Sequence, residues 1–302
     1  NTISRFIEDN IKMKIIKIMS ALLLSGVATA TLAGATIDLN TPEGNTAAMR
    51  KILCDVEDNK VSYYAWHGTA YSRRMGEKDR VLFNVEGMSA RQCGTVDGGK
   101  KGKTYKLVTR EILLYTDPKT GEPLESWKNP FTGEEVDVIH VTNDPVNQGP
   151  SFPNDKDGKV LPWKKKFGGQ VRDKIWWMKF DVPLFYHNVL AGEYQNQVGG
   201  VYHATEMFDF VGDTESLVSG DFANTHVDWV RISDWLPWMM MAGREGSLYV
   251  HAAGEKLASF DEISPIMTAF IEKNAPEYKD APPVNDNRKN ETSWSTYKDD
   301  VK

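Results

Sequence analysis

Lys174–Val182 reads KIWWMKFDV, and Val201–Val211 reads VYHATEMFDFV. Both stretches are rich in aromatic and β-branched side chains, the composition of a strand. A period of two places Tyr202, Ala204, Glu206, Phe208 and Phe210 on one face of the second stretch. In His226–Ser233, HVDWVRIS, the same period puts Val227, Trp229 and Arg231 together. Working outward, Val61–Ser72, Arg80–Met88, Thr104–Thr116, Glu135–Thr142 and Ser247–Ala252 have the same character and strand length. Asp97-Gly98-Gly99 supplies hairpin chemistry between two of them. About nine strands with this spacing, and no alternation with helices, argue against a doubly wound fold. The expected fold is all-β dominated with minor α: an antiparallel barrel or strongly curved sheet. A helical segment over Thr41–Val56 precedes it, with Pro42 in the first turn. A C-terminal helix follows, opened by Ser264-Pro265 and carrying Ile266, Met267, Phe270 and Ile271 at helical spacing, and then a polar tail.

The N-terminal residues have a different purpose. Met13 reads as a start, Lys14 and Lys17 as a positive flank, and Ser20–Val27 (SALLLSGV) as a short apolar core. Ala28-Thr29-Ala30 and Ala33-Gly34-Ala35 both fit the small-residue cleavage rule of a secretory signal peptide. The apolar run is short of the roughly 20 residues that a spanning helix needs. The expectation is therefore export to the periplasm or medium, with no stable membrane insertion after cleavage. The domains expected are residues 1–30 as upstream sequence and leader and residues 38–297 as one β-rich domain. That domain contains a long loop over 143–169, and the polar tail runs over 274–302.

The 302-residue chain carries 36 Lys and Arg against 42 Asp and Glu, a net charge of -6. Cleavage after Ala30 would remove Arg5, Lys12, Lys14 and Lys17 with Glu8 and Asp9, and so deepen it. An acidic chain lacks the basic excess that neutralises phosphates, so nucleic acid is not an expected partner. Nine Trp, 11 Tyr and 12 Phe point to a large core, a ligand cleft or both. The 2 cysteines, Cys54 and Cys93, are compatible with a disulfide in an exported protein or with two buried thiols.

Several motifs read as structural. Asp117-Pro118-Lys119-Thr120-Gly121-Glu122 recurs as Asn129-Pro130-Phe131-Thr132-Gly133-Glu134, two similar corners of a β-meander. Asn154–Gly158 imitates a calcium loop, but Pro153 and Lys164 occupy positions that should hold ligands. The six histidines include no H-E-x-x-H pair, and no metal site is expected. No G-x-S-x-G elbow or phosphate loop is present.

The candidate site lies in the aromatic rows. A small, largely apolar or aromatic molecule would be held by Trp229, Trp235, Trp238, Tyr202 and Trp177, with Arg231 as the polar fork. Trp176 and Trp177 project to opposite faces, so only one can line such a pocket. The alternative is an exported hydrolase, lyase or isomerase. There Glu206, desolvated among aromatic rings, would act with His140 or His203 as acid and base. The competing structural reading pairs Glu206 with an arginine. A further alternative is a carbohydrate-binding module with exposed Trp. The cofactor and the oligomeric state are left open.

Three groups of residues carry a resemblance: Trp66-His67-Gly68-Thr69, Asn129–Glu134 and His140-Val141-Thr142-Asn143-Asp144-Pro145-Val146-Asn147. Asp181-Val182-Pro183-Leu184-Phe185-Tyr186, Trp235-Leu236-Pro237-Trp238-Met239 and Asn290-Glu291-Thr292-Ser293-Trp294 extend it. Together these motifs resemble the family called domain of unknown function 1838, over about residues 38–297. His187-Asn188 replaces the family's Pro-Asn after Phe-Tyr. The resemblance implies an exported, mostly bacterial protein with no established activity, and it transfers no catalytic residue.

Overall fold

The computed structural model describes residues 36–99, 103–150, 167–187 and 201–300. The leader, Asn154–Gly158 and Lys164–Lys166 lie outside the described residues. Helix α1 (Pro42–Leu53) is capped by the Thr41 hydroxyl, which accepts from the Gly44 amide, with Pro42 in the first turn. Three long strands follow: β1 (Ser62–Arg73), β2 (Arg80–Asp97) and β3 (Lys103–Thr116). Three short ones come next, β4 (Ser126–Lys128), β5 (Glu135–Asp137) and β6 (Val141–Asn143). The second half holds β7 (Gln170–Arg172), β8 (Ile175–His187), β9 (Val201–Asp213), the short helix α2 (Thr214–Val218), β10 (Thr225–Ser233) and β11 (Ser247–Leu257). Helices α3 (Pro265–Asn274) and α4 (Ser293–Asp300) end the described chain.

Nine strands form one antiparallel sheet in the order β6-β3-β2-β1-β11-β10-β9-β8-β7. It is two meanders joined along β1 and β11, which pair from Tyr63 opposite Leu257 to Arg73 opposite Ser247. Strands β4 and β5 make a separate hairpin. The sheet is open, with β6 and β7 as its edges, so the curved sheet and not the closed barrel is the form adopted. Its curvature follows from one fact. β3 and β8 stand six places apart, roughly 29 Å across a flat sheet at about 4.8 Å per strand. Leu107 and Glu111 of β3 nevertheless line the same cavity as Phe180 and Val182 of β8.

Alternation assigns the two faces. Tyr64, Trp66, Trp229, Phe208 and Trp176 look into the concave side, while Tyr63, Met88, Ile112 and Leu114 meet α3 through Met267 and Ile271 on the convex side. Trp66 fits the concave face because its neighbours on both sides are glycines, Gly87 on β2 and Gly254 on β11. A Cβ at Gly87 would stand 2.2 Å from the Trp66 ring.

Two expectations are corrected here. Glu135–Thr142 is not one strand but β5 and β6, on different sheets. Between them His140 stacks on Tyr115, and its Nδ1 accepts a hydrogen bond from the Tyr115 amide. The polar tail also contributes structure: Tyr278 joins the core under α3, and Tyr297 of α4 joins the core around Trp238. The twin Pro–Gly corners form the same turn, in which Asp117 or Asn129 accepts from the two amides that follow its proline.

Candidate functional site

Helix α1 lies across the concave face and forms one wall of a cavity of about 370 Å³. It is fixed there by unusual means. Ala48 and Ile52 pack on Tyr64, Trp176 and Phe210. The Tyr64 hydroxyl donates to the Ile52 carbonyl at 2.7 Å. Lys51, buried, donates to the carbonyls of Ser216, Leu217, Ser219 and Gly220 at the end of α2. Lys256, also buried, donates to the Lys51 and Cys54 carbonyls and so caps α1 in turn. Burial lowers the Lys256 ammonium to about 7. Cys54, at the helix end, is disulfide-bonded to Cys93 of β2, which decides between the two readings of the cysteines.

The walls are mostly apolar: Met49 and Leu53 from α1, Leu107 from β3, Phe180 and Val182 from β8, and Phe208 from β9. Two charged side chains from neighbouring strands also line it, Arg91 of β2 and Glu111 of β3. They also border a second, smaller cavity of about 120 Å³ on the concave face, with Trp66, Trp229 and Glu206.

The Arg91 guanidinium is held by its own side of the site. Nε and Nη2 donate to the Ser89 hydroxyl at 3.0 and 2.6 Å, Nη1 donates to the Leu53 carbonyl at 3.3 Å, and the group sits 4.5 Å from the Tyr64 ring centre. Among the described residues no carboxylate lies within ion-pair distance of it. Burial lowers its pKa, with Tyr64 and Glu111 opposing that shift. The Glu111 carboxyl has no hydrogen-bond partner among the described residues. Burial raises it to about 7; Arg91 pulls it down and Glu206 pushes it up.

The sequence-predicted site divides. Glu206, Arg231, Tyr202 and Trp229 do come together on the concave face. Arg231 Nη1 donates to Glu206 Oε1 at 2.7 Å, and Nη2 donates to the Tyr202 hydroxyl at 3.0 Å. Burial opposes the Arg231 charge, but Tyr202 and Glu206 outweigh it and raise its pKa. Glu206 thus adopts the structural pairing with an arginine. Trp229 meets Trp66 edge to face at 6.4 Å and lines the smaller cavity, not the larger one.

The other residues lie elsewhere. Trp177 pairs opposite Val211 on the convex face and is 37% exposed, whereas Trp176 is fully buried on the concave side beneath α1. Of the two indoles, the inward one is Trp176, because the register sets it opposite Gly212, where a Cβ would meet its ring at 2.7 Å. Trp235 and Trp238 close the far end of the sheet as core. Trp238 packs among Phe83, Tyr115 and Trp127, and Trp235 donates to the Arg244 carbonyl. His203 is exposed on the face of β9 opposite Glu206. His140 lies between Tyr115 and Phe270 of α3, where burial lowers it to about 4. Neither histidine is placed on the concave face with Glu206. Among the described residues no group of three or more His, Cys, Asp or Glu could hold a metal.

The residues that sequence reasoning passed over are Arg91 and Glu111. A signal existed: a period of two through Thr104–Thr116 sets Glu111 in the row of Leu107, Leu113 and Tyr115.

Fold and site define a class, an open and strongly curved antiparallel sheet with a helix-roofed cavity. The chain belongs to the family described as protein of unknown function (DUF1838), whose model matches residues 59–301. A search of curated proteins finds no match. Among solved structures, the attachment invasion locus protein Ail of Yersinia pestis is similar at 6% identity, over 67% of this chain and 100% of that one. Its TM-score is 0.14, which carries no argument about fold or function. Among the described residues no helix is long and apolar enough to cross a membrane.

Proposed function

We propose that this protein binds a small, largely apolar molecule in the cavity beneath α1. The observation that supports this reading is the cavity itself: about 370 Å³, walled by Met49, Leu53, Phe180, Val182 and Phe208, with two charged groups from neighbouring strands in its lining. Such a space is the size and composition of a ligand site. The predicted aromatic-molecule site thereby moves from the Trp235–Trp238 end to the end roofed by α1. Export is part of the same proposal. It is supported by the signal-like order of residues 13–35 and by the Cys54–Cys93 bond, since disulfides persist in oxidising compartments.

The test uses the neutral fluorophore N-phenyl-1-naphthylamine. Its emission should rise and shift to the blue with the wild-type protein. Val182→Trp, which puts an indole at the cavity mouth, should abolish the rise with little change in the unfolding midpoint. Equal enhancement in both proteins, or none in either, overturns the proposal.

A further inference from the structure

The polar end of the cavity specifies more than an apolar occupant. Arg91 spends one N–H from each of its three nitrogens on Ser89 and the Leu53 carbonyl. A guanidinium has five, so one remains on Nη1 and one on Nη2. Its charge sits in a mostly apolar space with no carboxylate in ion-pair range among the described residues, an arrangement that a partner anion would relieve. Glu111 is one cross-strand diagonal away: it stands opposite Ser89, two residues from Arg91 on the same face. Its carboxyl, without a hydrogen-bond partner among the described residues, becomes an O–H donor when protonated.

We infer that the cavity takes an apolar monocarboxylic acid, its carboxylate seated between Arg91 and a protonated Glu111. Two guanidinium N–H groups and one O–H belong to neighbouring side chains on adjacent strands of the same lining, and an acceptor-rich group such as a carboxylate uses all three. The inference rests on the binding reading above and adds the ligand's chemical class and the proton that accompanies it.

The charges around Glu111 are accounted for strand by strand. β2 presents Arg91, with Tyr64 of β1 beneath it and Lys256 of β11 within electrostatic range of it. β9 presents Glu206, whose charge Arg231 of β10 already holds. From α1 only Asn45, Thr46, Met49 and Leu53 face the cavity, none of which titrates. Glu111 is therefore the acidic group whose charge an incoming carboxylate would oppose, and binding the anion draws a proton onto it. Burial already holds its carboxyl near 7, within reach of that change.

The experiment measures 2-naphthoate binding by calorimetry at pH 6 and pH 8, with methyl 2-naphthoate as the uncharged control. The acid should bind about tenfold more weakly at pH 8, with uptake of about one proton there and little at pH 6, because its own carboxylate stays ionised throughout. Glu111→Gln should bind it at both pH values as the wild type does at pH 6. Arg91→Gln should lose at least about tenfold for the acid and little for the ester. Acid affinity independent of pH, or unaltered in Arg91→Gln, overturns the inference. So does an ester that binds where the acid does not, with the cavity reading left standing. If neither 2-naphthoate, its methyl ester nor N-phenyl-1-naphthylamine enters, both readings fall together.

Discussion

Breaking the Arg231–Glu206 pair should destabilise the fold by a calculable amount. The two side chains are 15% and 19% exposed and meet at 2.7 Å, with Tyr202 on the second guanidinium nitrogen at 3.0 Å. Removing one partner of a buried pair strands the other and costs about 3–5 kcal/mol. The residual exposure here lets water reach the stranded group, so Arg231→Met should cost about 2–3 kcal/mol. Glu206→Gln alone should cost less, since its amide still accepts from Arg231. The double variant should be more stable than the sum of the singles predicts, by about 1–2 kcal/mol. The assay is urea unfolding followed by Trp fluorescence, with equal m-values required before energies are compared. An Arg231→Met cost under about 0.5 kcal/mol, or strict additivity, would refute the assignment of this cluster to structure.

Further outcomes follow from the same contacts. Gly87→Ala drives a Cβ to 2.2 Å from the Trp66 ring, and the overpacking should cost about 1–3 kcal/mol in urea unfolding. Reducing the Cys54–Cys93 bond, 39 residues apart in sequence, should remove about 4 kcal/mol on the chain-entropy model, read as a lower unfolding midpoint in dithiothreitol. Glu111 binds its proton more tightly folded, at about 7, than at the ordinary 4.5, so stability should fall as pH rises between them, by up to about 3 kcal/mol. Glu111→Gln should remove that slope in pH-dependent unfolding. His140 has the opposite sign: held at about 4, it is protonated first in the unfolded chain, so stability should fall as pH drops below 6.5, and His140→Gln should flatten that limb.

Much of the sheet was legible because a strand buried on one face writes its register into a period of two. β9 and β10 carry that period clearly, so Glu206, Arg231, Tyr202 and Trp229 were found as a group, and the opposite directions of Trp176 and Trp177 followed from it. The direction of each was not legible, because both neighbours on β8 are apolar enough to face either side. Gly212, a place cleared for an indole on a different strand, decides it. Trp235 and Trp238 were read as a pocket because indoles line pockets and cores alike. Arg91 and Glu111 escaped notice for the converse reason. Each is a lone charge among uncharged neighbours in its row, and that the two rows line a ligand-sized space shows only when β3 and β8, six places apart, curl onto one cavity. Curvature of that kind depends on contacts between strands that do not pair, and no local pattern encodes it.

The most direct test of the account is a methionine methyl spectrum of protein labelled with [methyl-13C]methionine, titrated with N-phenyl-1-naphthylamine. Met49 lines the cavity, whereas Met241 lies in the core at the far end and Met267 on α3. The account predicts that the Met49 resonance, assigned with Met49→Leu, moves by the ring current of the bound probe while those of Met241 and Met267 stay in place. A Met49 resonance that does not move, or shifts confined to the other two, would contradict it.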